Sequence, residues 1–163
     1  VLSPFKKKIC DVKIDNKKNW QEKHIKSIEE NYKKSKNFAF FTKFIKNIYF
    51  KNYDYIADLN IEIISTILEN FFEKKIKIIR QKDFSTNELG SNLILEICKK
   101  FKCSQYISGP GGKNYLDLND FKKNNIEVIF NKNIIPKKYN QTNNKKDFIG
   151  DISIIDFILN FEN

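Results

Sequence analysis

The residues best suited to chemistry stand in one short block, Tyr106-Ile107-Ser108-Gly109-Pro110-Gly111-Gly112-Lys113-Asn114-Tyr115-Leu116-Asp117. Three glycines and a proline within four residues let a backbone approach a ligand closely and turn its N–H groups inward, as anion-binding loops do. On that reading Gly109, Gly111 and Gly112 supply the close approach, Lys113 pairs with a phosphate or carboxylate, Ser108 donates a hydrogen bond and Tyr115 stacks on a sugar or base. The spacing matches neither the dinucleotide fingerprint nor the P-loop, so a tight structural turn is the competing reading.

His24 is the one imidazole of the chain and a candidate general base, because an unperturbed imidazole titrates near neutrality. It shares a helix face with Trp20, which would line the same substrate; the bland alternative is a histidine at the edge of the core. Tyr139 and Gln141, in a polar segment, are further candidates for lining a pocket. Asp156 sits within an apolar run, where burial would demand a polar partner. No nucleophile, base and acid fall into a recognisable triad order. Cys10, Cys98 and Cys103 match no zinc or redox spacing and read as ordinary reduced thiols. With a single histidine, a conventional His/Cys metal site is not expected; carboxylates would be left to hold a magnesium ion, and no cofactor is indicated.

These residues need elements to hold them. Rough alternation of Ile9, Val12 and Ile14 suggests a strand over residues 9–14. Trp20, His24, Ile28 and Tyr32 recur every four residues and mark a slowly drifting face of a helix over about 18–34, capped by Asn16 or Asn19. The aromatic-rich stretch 37–50 is assigned to helix. Asp54 opens an amphipathic helix whose apolar stripe runs Ile56, Leu59, Ile63, Ile67 and Phe71. A β-branched run at 76–80 suits a buried strand.

After Gly90, the spacing of Leu93, Ile94, Ile97 and Phe101 predicts another helix. A strand follows at 105–108, then the glycine turn. Asp117 or Asn119 caps a short helix ending near Lys123, and 126–130 reads as a strand. Residues 131–147 look like an irregular loop. A last helix over 152–161 has Ser153 or Asp151 near its N-cap. Helices alternating with short apolar strands imply an α/β fold with a mostly parallel sheet. At 163 residues, one domain is expected. If the glycine block follows a strand, it stands at the carboxyl edge of that sheet, where open α/β folds place ligands.

An apolar fraction of 40% with 14% aromatics excludes a disordered chain. The net charge of +10 raises a nonspecific nucleic-acid reading, yet of thirty basic residues only Arg80 is arginine, the side chain suited to bidentate recognition. Lysines spread among Asn, Ile and Phe read as solvated faces, so no specific nucleic-acid partner is expected, although the excess charge would attract anionic, nucleotide-linked substrates. No apolar run approaches the ~20 residues of a membrane-spanning helix, and nothing at the start reads as a signal peptide. A soluble cytoplasmic protein is the expectation.

Four blocks resemble the WbqC-like protein family in order and cover almost the entire chain. They are Val12-Lys13-Ile14-Asp15 with Asn19-Trp20, His24, Ile28 and Tyr32; Leu95-Glu96-Ile97-Cys98-Lys99-Lys100; the glycine block Tyr106 to Asp117; and Tyr139-Asn140-Gln141 with Ile152-Ser153-Ile154-Ile155-Asp156 and Leu159-Asn160. The resemblance implies a role in making surface glycans such as lipopolysaccharide O-antigen or capsule, with a nucleotide-linked or otherwise activated sugar as the small-molecule partner. A transferase, moving an acyl or aminoacyl group to a sugar, is one implied activity, and a noncatalytic sugar- or nucleotide-binding module is the alternative. The family's opening His-Gln-Pro…Tyr-Leu-Pro-Trp segment is absent, so the chain is expected to hold the C-terminal two-thirds or so of the family's length. On the transferase reading His24, Ser108, Lys113, Tyr115, Tyr139 and Gln141 share one pocket.

Overall fold

In the computed structural model, which describes residues 7–83, 85–131, 138–142, 147–150 and 152–161, apolar spacing becomes helix wherever it follows the 3.6-residue period. The elements run α1 Trp20–Tyr32, α2 Phe38–Tyr49, α3 Ile56–Phe71, α4 Gly90–Lys100, β1 Gln105–Ser108, α5 Leu118–Lys123, β2 Glu127–Phe130 and α6 Ile154–Asn160, with short 3-10 turns between some of them. The fold is α/β. It divides into two compact units, Val1–Ile79 with Lys137–Asn163, and Arg80–Pro136.

The first unit is helical. Its core joins Ile25 of α1, Phe41, Ile45, Ile48 and Tyr49 of α2, Leu59 and Ile67 of α3, and Ile158 and Leu159 of α6. The α3 stripe behaves as its spacing dictates: Leu59 and Ile67 are buried, and Ile56, Ile63 and Phe71 pack against the same core. In α1 a repeat of four overshoots the helical turn by about 40° at each step. The buried position is therefore Ile25, Trp20, Ile28 and Tyr32 pack beside it, and His24 is left exposed on the flank. Asn19 occupies the cap position without capping and bonds Glu22 instead. Ser153 does cap α6, accepting the Ile155 N–H at 3.2 Å.

Two expected strands are corrected. Residues 9–14 form a 3-10 turn, Ile9–Asp11, followed by a single antiparallel bridge between Lys13 and Tyr55. That bridge, with Ile14 N–H to the Asp54 carbonyl at 2.8 Å and Ile56 N–H to the Val12 carbonyl at 3.0 Å, clasps the start of α3. The run at 76–80 forms no strand: Ile76 is 60% exposed and no neighbouring strand takes up the backbone, so β-branching alone does not make a ladder. The loop expected over 131–147 falls partly outside the described residues, at 132–137 and 143–146, as does the alternative cap Asp151.

The second unit holds the sheet. Strands β1 and β2 pair in parallel, in register from Gln105 with Glu127 to Ser108 with Phe130. One face, through Tyr106, Val128 and Phe130, packs with α4 and α5 around Cys98, Leu116, Phe121 and Ile126. Asp117 caps α5, accepting the Asn119 and Asp120 N–H groups at 3.0 and 3.2 Å. Gly90 opens α4 at φ +56°, a conformation that disfavours side chains. Both strands end on the same side, where the glycine turn begins.

Candidate functional site

The glycine block lies at the carboxyl ends of β1 and β2, as its position after a strand predicts. Its conformation is a 3-10 turn, Pro110–Asn114, rather than a concave nest. The Gly112 N–H is bound by the Gly109 carbonyl at 3.0 Å, and the Gly112 carbonyl accepts the Tyr115 and Leu116 N–H groups at 3.2 and 2.9 Å. These amides are therefore occupied by the protein itself. Ser108 is 2% exposed and its hydroxyl donates to the Gly109 carbonyl at 3.0 Å, so it serves the turn before any ligand.

The outer side of the turn is different. Gly109 and Gly111 are exposed, and a Cβ added at either meets nothing within 4 Å. Lys113 is exposed, its ammonium 5.4 Å from the centre of the Phe130 ring at the end of β2. Tyr115 is 55% exposed. The turn thus presents open backbone, a cation and an aromatic ring at the carboxyl edge of parallel strands, the edge where such folds take ligands. Behind it Tyr106 stacks on Phe121 at 5.9 Å. Burial, with Tyr115 nearby, raises its phenol above the usual range against the opposing pull of Ser108.

The remaining candidates belong to the first unit. Trp20, His24 and Tyr49 form an aromatic group with ring centres 5.1–6.0 Å apart. Among the described residues the His24 imidazole makes these ring contacts and no hydrogen bond orients it, while the Trp20 indole N–H is buried without a partner. Tyr139 and Gln141 converge on α6. The Tyr139 hydroxyl donates to Asp156 Oδ2 at 2.6 Å and Gln141 Nε2 to the same oxygen at 2.9 Å. Asn160 Nδ2 donates to Asp156 Oδ1 at 3.1 Å, and the same carboxylate raises the Tyr32 phenol. Asp156, 4% exposed, is thereby a fully engaged acceptor. Gln141 goes further, pairing its side-chain amide with both backbone groups of Ile149 at 2.9 Å.

Sequence reasoning saw Asp156, Tyr139 and Gln141 separately and did not join them, because they lie 15 and 17 positions apart with no periodic relation. It also missed a hollow of about 750 Å³ in the first unit, lined by Phe40, Phe71, Phe72, Phe157 and Phe161 with Asn70 among its polar members. Its phenylalanines come from three separate segments, which no local pattern joins. Among the described residues no group of three or more His, Cys, Asp or Glu is arranged to hold a metal ion, and no helix is long and apolar enough to cross a membrane.

Burial, then the hydrogen bond to Asp156, pushes the Tyr32 and Tyr139 phenols up to about 12, from an ordinary 10.0. The unfolded chain then loses these protons first as pH rises, so the stability they contribute is complete below pH 10 and is lost towards pH 12. Thermal unfolding followed by circular dichroism should show the melting temperature falling across that window. Replacing both tyrosines with phenylalanine should flatten the fall; an unchanged slope in that variant would refute the assignment.

The model of the WbqC-like protein family matches residues 3–163. An uncharacterized protein of Mycobacterium tuberculosis, Rv1507c, is 22% identical over 131 residues, which cover 80% of this chain and 56% of that protein. The chain therefore spans little more than half the length of this curated relative. No solved structure matches it.

Proposed function

This chain belongs to the WbqC-like protein family, and from that premise we propose that it acts in the biosynthesis of bacterial surface polysaccharide, O-antigen or capsule, by binding a nucleotide-linked or otherwise activated sugar. The proposed binding surface is the outer side of the turn after β1: Gly109 and Gly111 for backbone approach, Lys113 for phosphate, and Tyr115 for stacking on the sugar or base. The observation that supports this most is the open space over Gly109 and Gly111 beside an exposed lysine and tyrosine, all at the carboxyl edge of a parallel strand pair.

Because a Cβ at Gly111 meets nothing in the free protein, Gly111→Ala is a clean probe. Titration of a panel of nucleoside diphosphate sugars, read by calorimetry, should show binding weakened about tenfold in Gly111→Ala and in Lys113→Ala, roughly 1.4 kcal/mol, with unchanged melting temperatures. Equal affinity in wild type and both variants would reject the turn as the surface; a loss confined to Phe72→Ala would move the ligand to the aromatic hollow.

The noncatalytic module is the second reading, and the unanchored His24 imidazole favours it, since a general base is ordinarily oriented by a hydrogen-bond partner. In the transferase reading His24→Ala abolishes turnover and preserves sugar binding. In the module reading no transfer of an acyl or aminoacyl group to the bound sugar is detected in the wild type.

A further inference from the structure

Helices α4 and α5 end in the same way, and the comparison isolates a pair of thiols. After α5, Asn125 adopts φ +57°, its N–H reaches the Lys122 carbonyl at 3.0 Å, and the Ile126 N–H reaches the Phe121 carbonyl at 3.0 Å. This left-handed cap brings residues five apart into apolar contact, and Phe121 and Ile126 make that contact in the core of the unit. After α4, Lys102 adopts φ +52°, its N–H reaches the Lys99 carbonyl at 3.1 Å, and the Cys103 N–H reaches the Cys98 carbonyl at 2.8 Å. The two positions that α5 fills with phenylalanine and isoleucine are filled here by cysteines.

We propose that Cys98 and Cys103 form a reversible, redox-sensitive thiol pair that a small-molecule disulfide such as oxidised glutathione closes to an intramolecular disulfide. The cap places the side chains together: Cys98 is a core member of the cluster against which Cys103 packs. Access is open, because a solvent-facing hollow of about 440 Å³ is lined by Cys98 and Cys103 with Lys99, Lys102, Asn124 and Asn125. The two lysines suit an anionic disulfide. Burial divides the roles, since Cys98 is 3% exposed whereas Cys103 is only half-buried.

In the first step the Cys103 thiolate attacks one sulfur of the small disulfide, forming a mixed disulfide and releasing one thiolate. In the second, Cys98 gives up its proton and attacks the Cys103 sulfur, expelling the second thiolate. The protein loses two hydrogens and two electrons; the disulfide becomes two thiols. The linkage joins the end of α4 to the segment that enters β1. The sequence spacing hides this, because five residues apart is a contact only when the left-handed residue between them reverses the chain.

The test incubates the 163-residue chain with oxidised glutathione, follows intact mass and maps alkylated peptides. The expected product lacks two hydrogens, carries a Cys98–Cys103 linked peptide, and reverts with dithiothreitol. Cys98→Ser should stop at a single glutathione adduct on Cys103, and Cys10→Ser should behave as wild type. Cys98 and Cys103 both still alkylated after Cys10 has been fully oxidised would overturn the proposal, as would a disulfide formed between two chains. The wild-type peptide map decides the matter even if a variant folds poorly.

Discussion

Replacing Asp156 with alanine is expected to cost roughly 3 kcal/mol, because it removes a buried acceptor that three side chains share. The Tyr139 hydroxyl, Gln141 Nε2 and Asn160 Nδ2 all point at this one carboxylate. Gln141 keeps Ile149 and Asn160 keeps the Asp156 backbone carbonyl at 2.9 Å, so the loss falls on the Tyr139 hydroxyl and on the amide N–H groups that faced the carboxylate. Asp156→Asn keeps one oxygen acceptor but turns an N–H₂ toward donors, so an intermediate loss of about 1–2 kcal/mol is expected. Urea unfolding with an unchanged m-value measures both. A midpoint for the alanine variant within experimental error of wild type would show that water replaces the network at no cost, contrary to the claim that it holds residues 138–142 onto α6.

Gly112→Ala is expected to destabilise the second unit by about 1–3 kcal/mol, the range for forcing atoms into a packed site. A Cβ there would overlap Ser108 Oγ, while Leu116 Cδ1 at 3.0 Å and Ser108 Cβ at 3.1 Å close the remaining space. Rotating the serine hydroxyl away relieves only the first of these. Gly109→Ala and Gly111→Ala, with nothing within 4 Å, should stay within about 0.5 kcal/mol of wild type. A double-mutant cycle sharpens the prediction: Ser108→Ala removes the overlapping oxygen, so its combination with Gly112→Ala should cost less than the sum of the two. Strict additivity would mean that the glycine is required for some reason other than Ser108.

Three glycines that look alike in the sequence thus divide by environment. A Cβ has no room at Gly112, whereas at Gly109 and Gly111 it meets open space. The glycines and proline that follow Gln105 to Ser108 mark a turn at the end of a strand, but the self-bonded 3-10 geometry depends on which carbonyl each amide finds. His24 illustrates the same limit. Its place in a four-residue repeat was legible, whereas its exposure followed from the angle at which α1 packs, which centres the buried face on Ile25.

What the sequence determined by itself is everything governed by local periodicity and local chemistry: the helices, the two strands that pair, caps narrowed to Asp117 or Asn119 and to Ser153 or Asp151, and the character of an α/β chain with a lysine-rich surface. Those features depend on residues within a turn or two of one another. Tertiary structure alone decided that residues 9–14 and 76–80 build no strand and that Asp156 gathers Tyr139 and Gln141. A strand requires a partner and a buried carboxylate requires donors, and in both cases the deciding atoms are brought together by folding rather than by neighbouring position.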